Sequence, residues 1–141
     1  MEYSIYRNLN ETDFLFIKEK LEIIERIISP IMQLSGFYLN RDGHYADYLG
    51  LDYICYDGFF NGNIGLQYCE DESLNDKKLF RFYILKSTEK EGILYYKKEE
   101  LGRLYSVEEI QSNSIEFFKK CLIIYDSIAE EMIIRDNREK F

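Results

Sequence analysis

Tryptophan is absent from the chain, proline occurs once, histidine once and cysteine three times in 141 residues. A single proline and eight glycines leave little to punctuate long irregular loops, which points to a continuous succession of regular elements. No apolar run approaches the roughly 20 residues needed to span a bilayer. The opening segment, Met1-Glu2-Tyr3-Ser4-Ile5-Tyr6-Arg7, has neither a basic nor an apolar leader pattern, so no secretory signal is expected. Cys55, Cys69 and Cys121 are odd in number and contain no C-x-x-C pair, which argues against a disulfide framework and for a reducing, cytoplasmic setting. Cys55 and Cys121 sit in apolar runs, where a thiol acts as a small hydrophobe; acidic neighbours at Cys69 oppose thiolate formation. Hydrophobic residues make up 46% of the chain and charged residues 31%, enough to build one core and to exclude a disordered or low-complexity segment. At this length, residues 1–141 are expected to form a single domain.

Charge is unevenly distributed. The net charge of -8 is concentrated between residues 36 and 76, where eight acids face only Arg41. Residues 77–105 reverse the sign, with eight bases against four acids. The acidic block is also dense in rings, among them Tyr45, Tyr48, Phe59 and Phe60. Carboxylates interleaved with tyrosines repel phosphates, which disfavours nucleic acid as a partner. They suit a basic protein surface, because carboxylates steer the encounter and aromatic rings supply contact area at low entropic cost. A solvated acidic face over an aromatic core is the plainer alternative for any one residue.

Periodicity gives the elements. Phe14, Ile17, Leu21, Ile24, Ile28 and Ile31 recur at spacings of three and four, one face of a helix. Asn10 or Thr12 is its expected N-cap, Gly36 its stop, and Pro30 predicts a kink or a restart with Ser29 as cap. Beyond Gly36 the period shortens. Phe37-Tyr38-Leu39, a turn at Asn40–Gly43 and a return through His44–Tyr48 read as a hairpin, followed by a strand from Leu51 to Tyr56. Asp57–Asn63 reads as a loop, and Ile64, Leu66 and Tyr68 alternate on the next strand. Phe80, Phe82 and Ile84 alternate on another, and Ile93–Tyr96 adds one more; Glu99–Tyr105 fits no single period. Ser106-Val107-Glu108-Glu109 is a capping box, opening an apolar stripe that predicts a helix of roughly 43 Å reaching Arg135. The expected class is α+β: a central antiparallel sheet of about four to six strands, flanked by an N-terminal helix and a long C-terminal helix.

Chemical motifs are scarce. His44 lies between Asp42 and Asp47 beside a turn, a setting more common for a surface histidine than for a base. His44 and the scattered cysteines lack zinc-ligand spacing, and Glu70-Asp71-Glu72 with Asp76 lacks the alternating ligands and glycine of a calcium loop. The glycines from Gly58 to Gly65 carry no Walker lysine. No catalytic residue, metal or cofactor is therefore assigned. Lys77, Lys78, Arg81, Lys86, Lys90, Lys97 and Lys98 with Tyr83, Tyr95 and Tyr96 form a basic, aromatic stretch, but its acidic neighbour opposes RNA binding.

In small size, acidity, absence of a catalytic motif and an aromatic-acidic centre, the chain resembles the immunity proteins of bacterial contact-dependent inhibition and other polymorphic-toxin systems. The lack of tryptophan separates it from the Gly/Trp-rich superfamily of such proteins. The resemblance implies a cytoplasmic inhibitor that neutralises a cognate, basic toxin domain in a tight one-to-one complex, without nucleic acid or membrane. The contact is expected on Asp42, Asp47, Asp52, Asp57, Glu70, Asp71, Glu72 and Asp76, with Tyr45, Tyr48, Phe59 and Phe60 as anchors. A nucleic-acid-mimicking nuclease inhibitor and a small carboxylate-dependent enzyme are the alternatives, and a subunit of a larger assembly is a further one.

Overall fold

The computed structural model describes residues 9–40, 49–70 and 78–135. Helix α1 runs from Glu11 to Leu34 and is capped by Asn10, whose side-chain oxygen accepts from the Asp13 amide at 2.8 Å. Its buried stripe is Phe14, Ile17, Leu21, Ile24, Ile28 and Met32; Met32 takes the place expected for Ile31. The helix runs through Pro30 without the restart that is one of the two expected outcomes. The proline and Arg26, whose carbonyl it leaves without a helical donor, both lie on the exposed face, where water can serve that carbonyl, while buried Ile28 and Met32 hold both flanks to the core. Ser29 is not a cap; its hydroxyl shares a 2.8 Å hydrogen bond with Tyr53. Gly36, with φ +83°, ends the helix as expected. The amide of Phe37 reaches the carbonyl of Met32 and that of Gly36 reaches Gln33, both at 3.0 Å, a complete Schellman closure.

The sheet is antiparallel throughout, in the order β1 (Tyr38–Leu39), β2 (Gly50–Tyr56), β3 (Asn61–Tyr68), β4 (Leu79–Lys90), β5 (Ile93–Glu100) and β7 (Ile134–Arg135). The remaining strand, β6 (Tyr105–Ser106), pairs with the start of β4 beyond the end of β5. The expected α+β architecture is present, with four long strands and three of two residues among the described residues. The return strand expected at His44–Tyr48 lies outside those residues, and β1 pairs with β2 instead, Tyr38 opposite Ile54.

The C-terminal stripe does not form one long helix. The capping box works: Ser106 accepts from the Glu109 amide at 3.2 Å, and the Glu109 carboxylate bonds the Ser106 backbone. The helical run then divides at Asn113 into α2 (Val107–Ser112) and α3 (Ser114–Ser127). Ile128 leaves the helical region, a short 3₁₀ turn covers Glu130–Met132, and Ile134–Arg135 pairs with Tyr96 and Tyr95 of β5. Two tertiary partners redirect the chain: Lys86 Nζ caps the Ile128 carbonyl at 2.8 Å, and the open edge of β5 offers backbone groups to Ile134 and Arg135. Helix α3 is therefore only about 21 Å long, and Met132 is exposed.

Alternate residues of β2, β3 and β4 point inward: Leu51 and Tyr53, Ile64 and Leu66, and Phe80, Phe82 and Ile84. Helices α1 and α3 cover this face. Phe82 stands at its centre, stacked on Phe117 at 5.1 Å and edge-on to Phe118 at 5.2 Å. The opposite face, bearing Asp52, Ile54 and Tyr56 on β2 and Arg81, Tyr83 and Leu85 on β4, carries none of the described helices. No helix among the described residues is long and apolar enough to cross a membrane.

Candidate partner-binding surface

The β2–β3 connection contracts to four residues because Asp57 organises it. Its Oδ1 accepts from the amides of Phe59 at 2.9 Å and Phe60 at 2.7 Å, while Gly58 supplies the positive φ of +93°. The backbone bonds to Phe60 and then Phe59 hold the Asp57 carboxyl below its ordinary pKa. The turn is pinned to β4 by Thr88, whose hydroxyl donates to the Phe59 carbonyl at 2.8 Å. Phe59 and Phe60 meet edge to face at 4.6 Å. Phe59 is 47% exposed. Phe60 is half-covered, with the Lys86 ammonium 4.7 Å from its ring centre.

Along the outer face the hairpin continues into exposed apolar side chains. Tyr56 is 68% exposed, and Ile54 lies two residues away opposite Tyr38. Beside them Asp52 is fixed by three neighbours. Its Oδ1 accepts from Asn63 Nδ2 and Tyr83 Oη, each at 3.1 Å, and Asn40 Nδ2 stands 3.5 Å from Oδ2. The described part of the acidic block, residues 36–40 and 49–70, contains Asp52, Asp57 and Glu70 and no lysine or arginine. Two bases near the hairpin end are engaged, Lys86 by the Ile128 carbonyl and Lys90 by Glu130.

These residues are not all one patch. Asp57, Phe59 and Phe60 share the hairpin end, Asp52 lies on the outer face, and Glu70 follows β3 at the opposite end of the sheet. The eight residues of β3 separate the two ends by about 25 Å. Asp42, Tyr45, Asp47, Tyr48, Asp71, Glu72 and Asp76, with His44, lie outside the described residues. Tyr38, Ile54 and Tyr56 were not singled out as anchors from sequence. Their signal is strand parity: once Leu51 and Tyr53 face inward, Ile54 and Tyr56 must face out.

Chemistry at this surface is that of contact. Among the described residues no three His, Cys, Asp or Glu side chains converge as metal ligands. The basic stretch does not make one face: Arg81 and Lys98 lie on the outer side of the sheet, whereas Lys86 turns inward over the Tyr125 ring. Cys55 is only partly covered, while Cys69 and Cys121 are buried. Burial pushes the Cys121 thiol up to about 12. Burial first and then Asp57 raise Cys55. In comparisons with known proteins, the chain matches no family profile, no curated protein and no solved structure.

Proposed function

We propose that this chain is an inhibitor of the immunity type, which acts in the cytoplasm by docking onto a basic toxin domain and holding it in a tight one-to-one complex. The observation that carries the reading is the outer-face surface formed by Tyr38, Ile54 and Tyr56 beside Asp52, with exposed Phe59 at the hairpin end that Asp57 organises. Such a surface supports protein recognition for two reasons. Carboxylates accelerate encounter with a basic partner and lose this effect as salt rises. Exposed aromatic rings on a rigid strand pair bury large area at little entropic cost, and truncating one such anchor costs about 2 kcal/mol or more when it fills a pocket.

The test begins with the tagged full chain and a native lysate, washed at low and at high salt. The retained protein is then purified and its affinity measured by calorimetry. A basic partner whose toxicity in cells is suppressed by co-expression of this chain supports the reading, with at least tenfold weaker binding for Tyr56→Ala. An unchanged affinity when Tyr56→Ala and Phe59→Ala are combined, or failure to protect cells from the partner, removes it.

A further inference from the structure

A groove of about 440 Å³ lies on the outer face of the sheet, over β4 and β5 and away from the exposed edge at Tyr38 and Tyr56. Its volume falls within the range of roughly 300–1,000 Å³ typical of small-ligand sites. Gln67, Arg81, Tyr83, Leu85, Leu94, Tyr96 and Lys98 line it, together with the hydroxyl of Ser87. The register orders these side chains along the groove. Arg81 lies towards one end, Lys98 stands opposite Leu85, Tyr96 opposite Ser87, and Leu94 opposite Glu89 towards the other end.

Two properties set this lining apart. It contains two cations, of which Arg81 is paired with the neighbouring Glu100 and Lys98 is left for a ligand, in a chain whose acids outnumber its bases by 26 to 18. It is also graded along its length: Arg81 lies at one end, Lys98 stands mid-groove level with Leu85, and Tyr96 and Leu94 line the far end. Arg81 is drawn towards Glu100, with Nε and the carboxylate 3.4 Å apart. Lys98 is exposed and makes no ion pair among the described residues. The floor is held in place: Gly65 has no side chain, and the Tyr83 ring lies across it to donate to Asp52. A ligand would meet a preformed wall and pay little to order it.

We infer that the groove binds a small amphipathic carboxylate, with its anionic head at Lys98 and its apolar body along Leu85, Tyr96 and Leu94. From Lys98 to Leu94 the strand extends about 13 Å, the reach of a medium-length acyl chain. This goes beyond the partner-docking reading and uses none of the residues that carry it.

Decanoate is the probe, titrated into the isotopically labelled full chain and followed by amide chemical shifts. Saturable shifts confined to Leu85–Ser87 and Leu94–Lys98 are expected, with at least tenfold weaker binding for Lys98→Glu and for Leu94→Asp. Lys98 is solvent-exposed, so its substitution leaves the fold intact, and an unchanged melting temperature checks this. Equal binding of decanol, equal binding by the Lys98→Glu chain, or shifts that never saturate would each overturn the assignment.

Discussion

Replacing Gly62 and Gly65 by alanine, one at a time, probes both faces of the same strand with the same added methyl. Both glycines have negative φ, so alanine meets no backbone penalty and stabilises through the unfolded chain by about 0.4–1 kcal/mol. The difference lies in what the methyl meets. At Gly62 it falls 2.6 Å from Cε1 and Oη of Tyr125. That ring is buried, edge-on to Phe37 at 5.1 Å and under Lys86, and has nowhere to go. Overpacking of this kind costs about 1–3 kcal/mol, leaving a net loss of about 1–2 kcal/mol. At Gly65 the methyl falls even closer, 2.0 Å from Cζ of Tyr83, yet that ring can swing outward from the half-exposed face. The swing gives up the hydrogen bond to Asp52, about 1 kcal/mol, so Gly65→Ala is expected to cost less than Gly62→Ala and to net near zero. Urea unfolding followed by circular dichroism measures both, and about 1–2 kcal/mol corresponds to a melting-point drop of roughly 3–7 °C at Gly62. With Tyr83→Ala already in place, Gly65→Ala becomes stabilising. Equal losses at the two positions, or a penalty at Gly65 that survives Tyr83→Ala, would refute the reasoning.

Two further outcomes follow from individual groups. The lowered pKa of Asp57 means that its turn-stabilising effect is complete above the ordinary carboxylate range and fades as pH falls through the lower folded-state value. Asp57→Ala therefore costs about 1 kcal/mol at pH 7 and little in strong acid, whereas Asp57→Asn keeps an acceptor and costs less; denaturant midpoints across pH 2–7 check both. Under native conditions a thiol alkylating agent reacts first and slowly at Cys55, because burial and Asp57 disfavour its thiolate, and it leaves Cys121 untouched until the chain unfolds. Peptide mass analysis over time reads the order, and equal rates at the two cysteines would contradict it.

Local signals were legible without a structure. The three-and-four spacing from Phe14 to Ile28 defines the buried face of α1 because a helix repeats every 3.6 residues whatever lies beside it. Alternation in Ile64-Gly65-Leu66-Gln67-Tyr68 and in Phe80–Ile84 identifies β3 and β4 for the same reason, since strand parity is a property of the chain. Ser106 and Glu109 mark the start of α2 through bonds that span only three residues. The acidic-aromatic character of residues 36–76 is likewise plain in the sequence, as composition alone states it.

Contacts between distant residues decided the rest. Apolar spacing continues past Ser127, but Lys86 and the edge of β5 capture that segment, a competition that periodicity cannot register. Pro30 remains within α1 because Ile28 and Met32 are anchored in the core while the proline itself lies on the exposed face. Asp57 and Glu70, thirteen positions apart, sit at opposite ends of the sheet because β3 runs extended between them. Sequence determined α1, the alternation of β3 and β4, and the start of α2, since those preferences act over a few bonds. Only the tertiary structure decided that Tyr38, Ile54 and Tyr56 share an exposed surface, and that Arg81 and Lys98 flank one groove, because pairing register joins residues far apart along the chain.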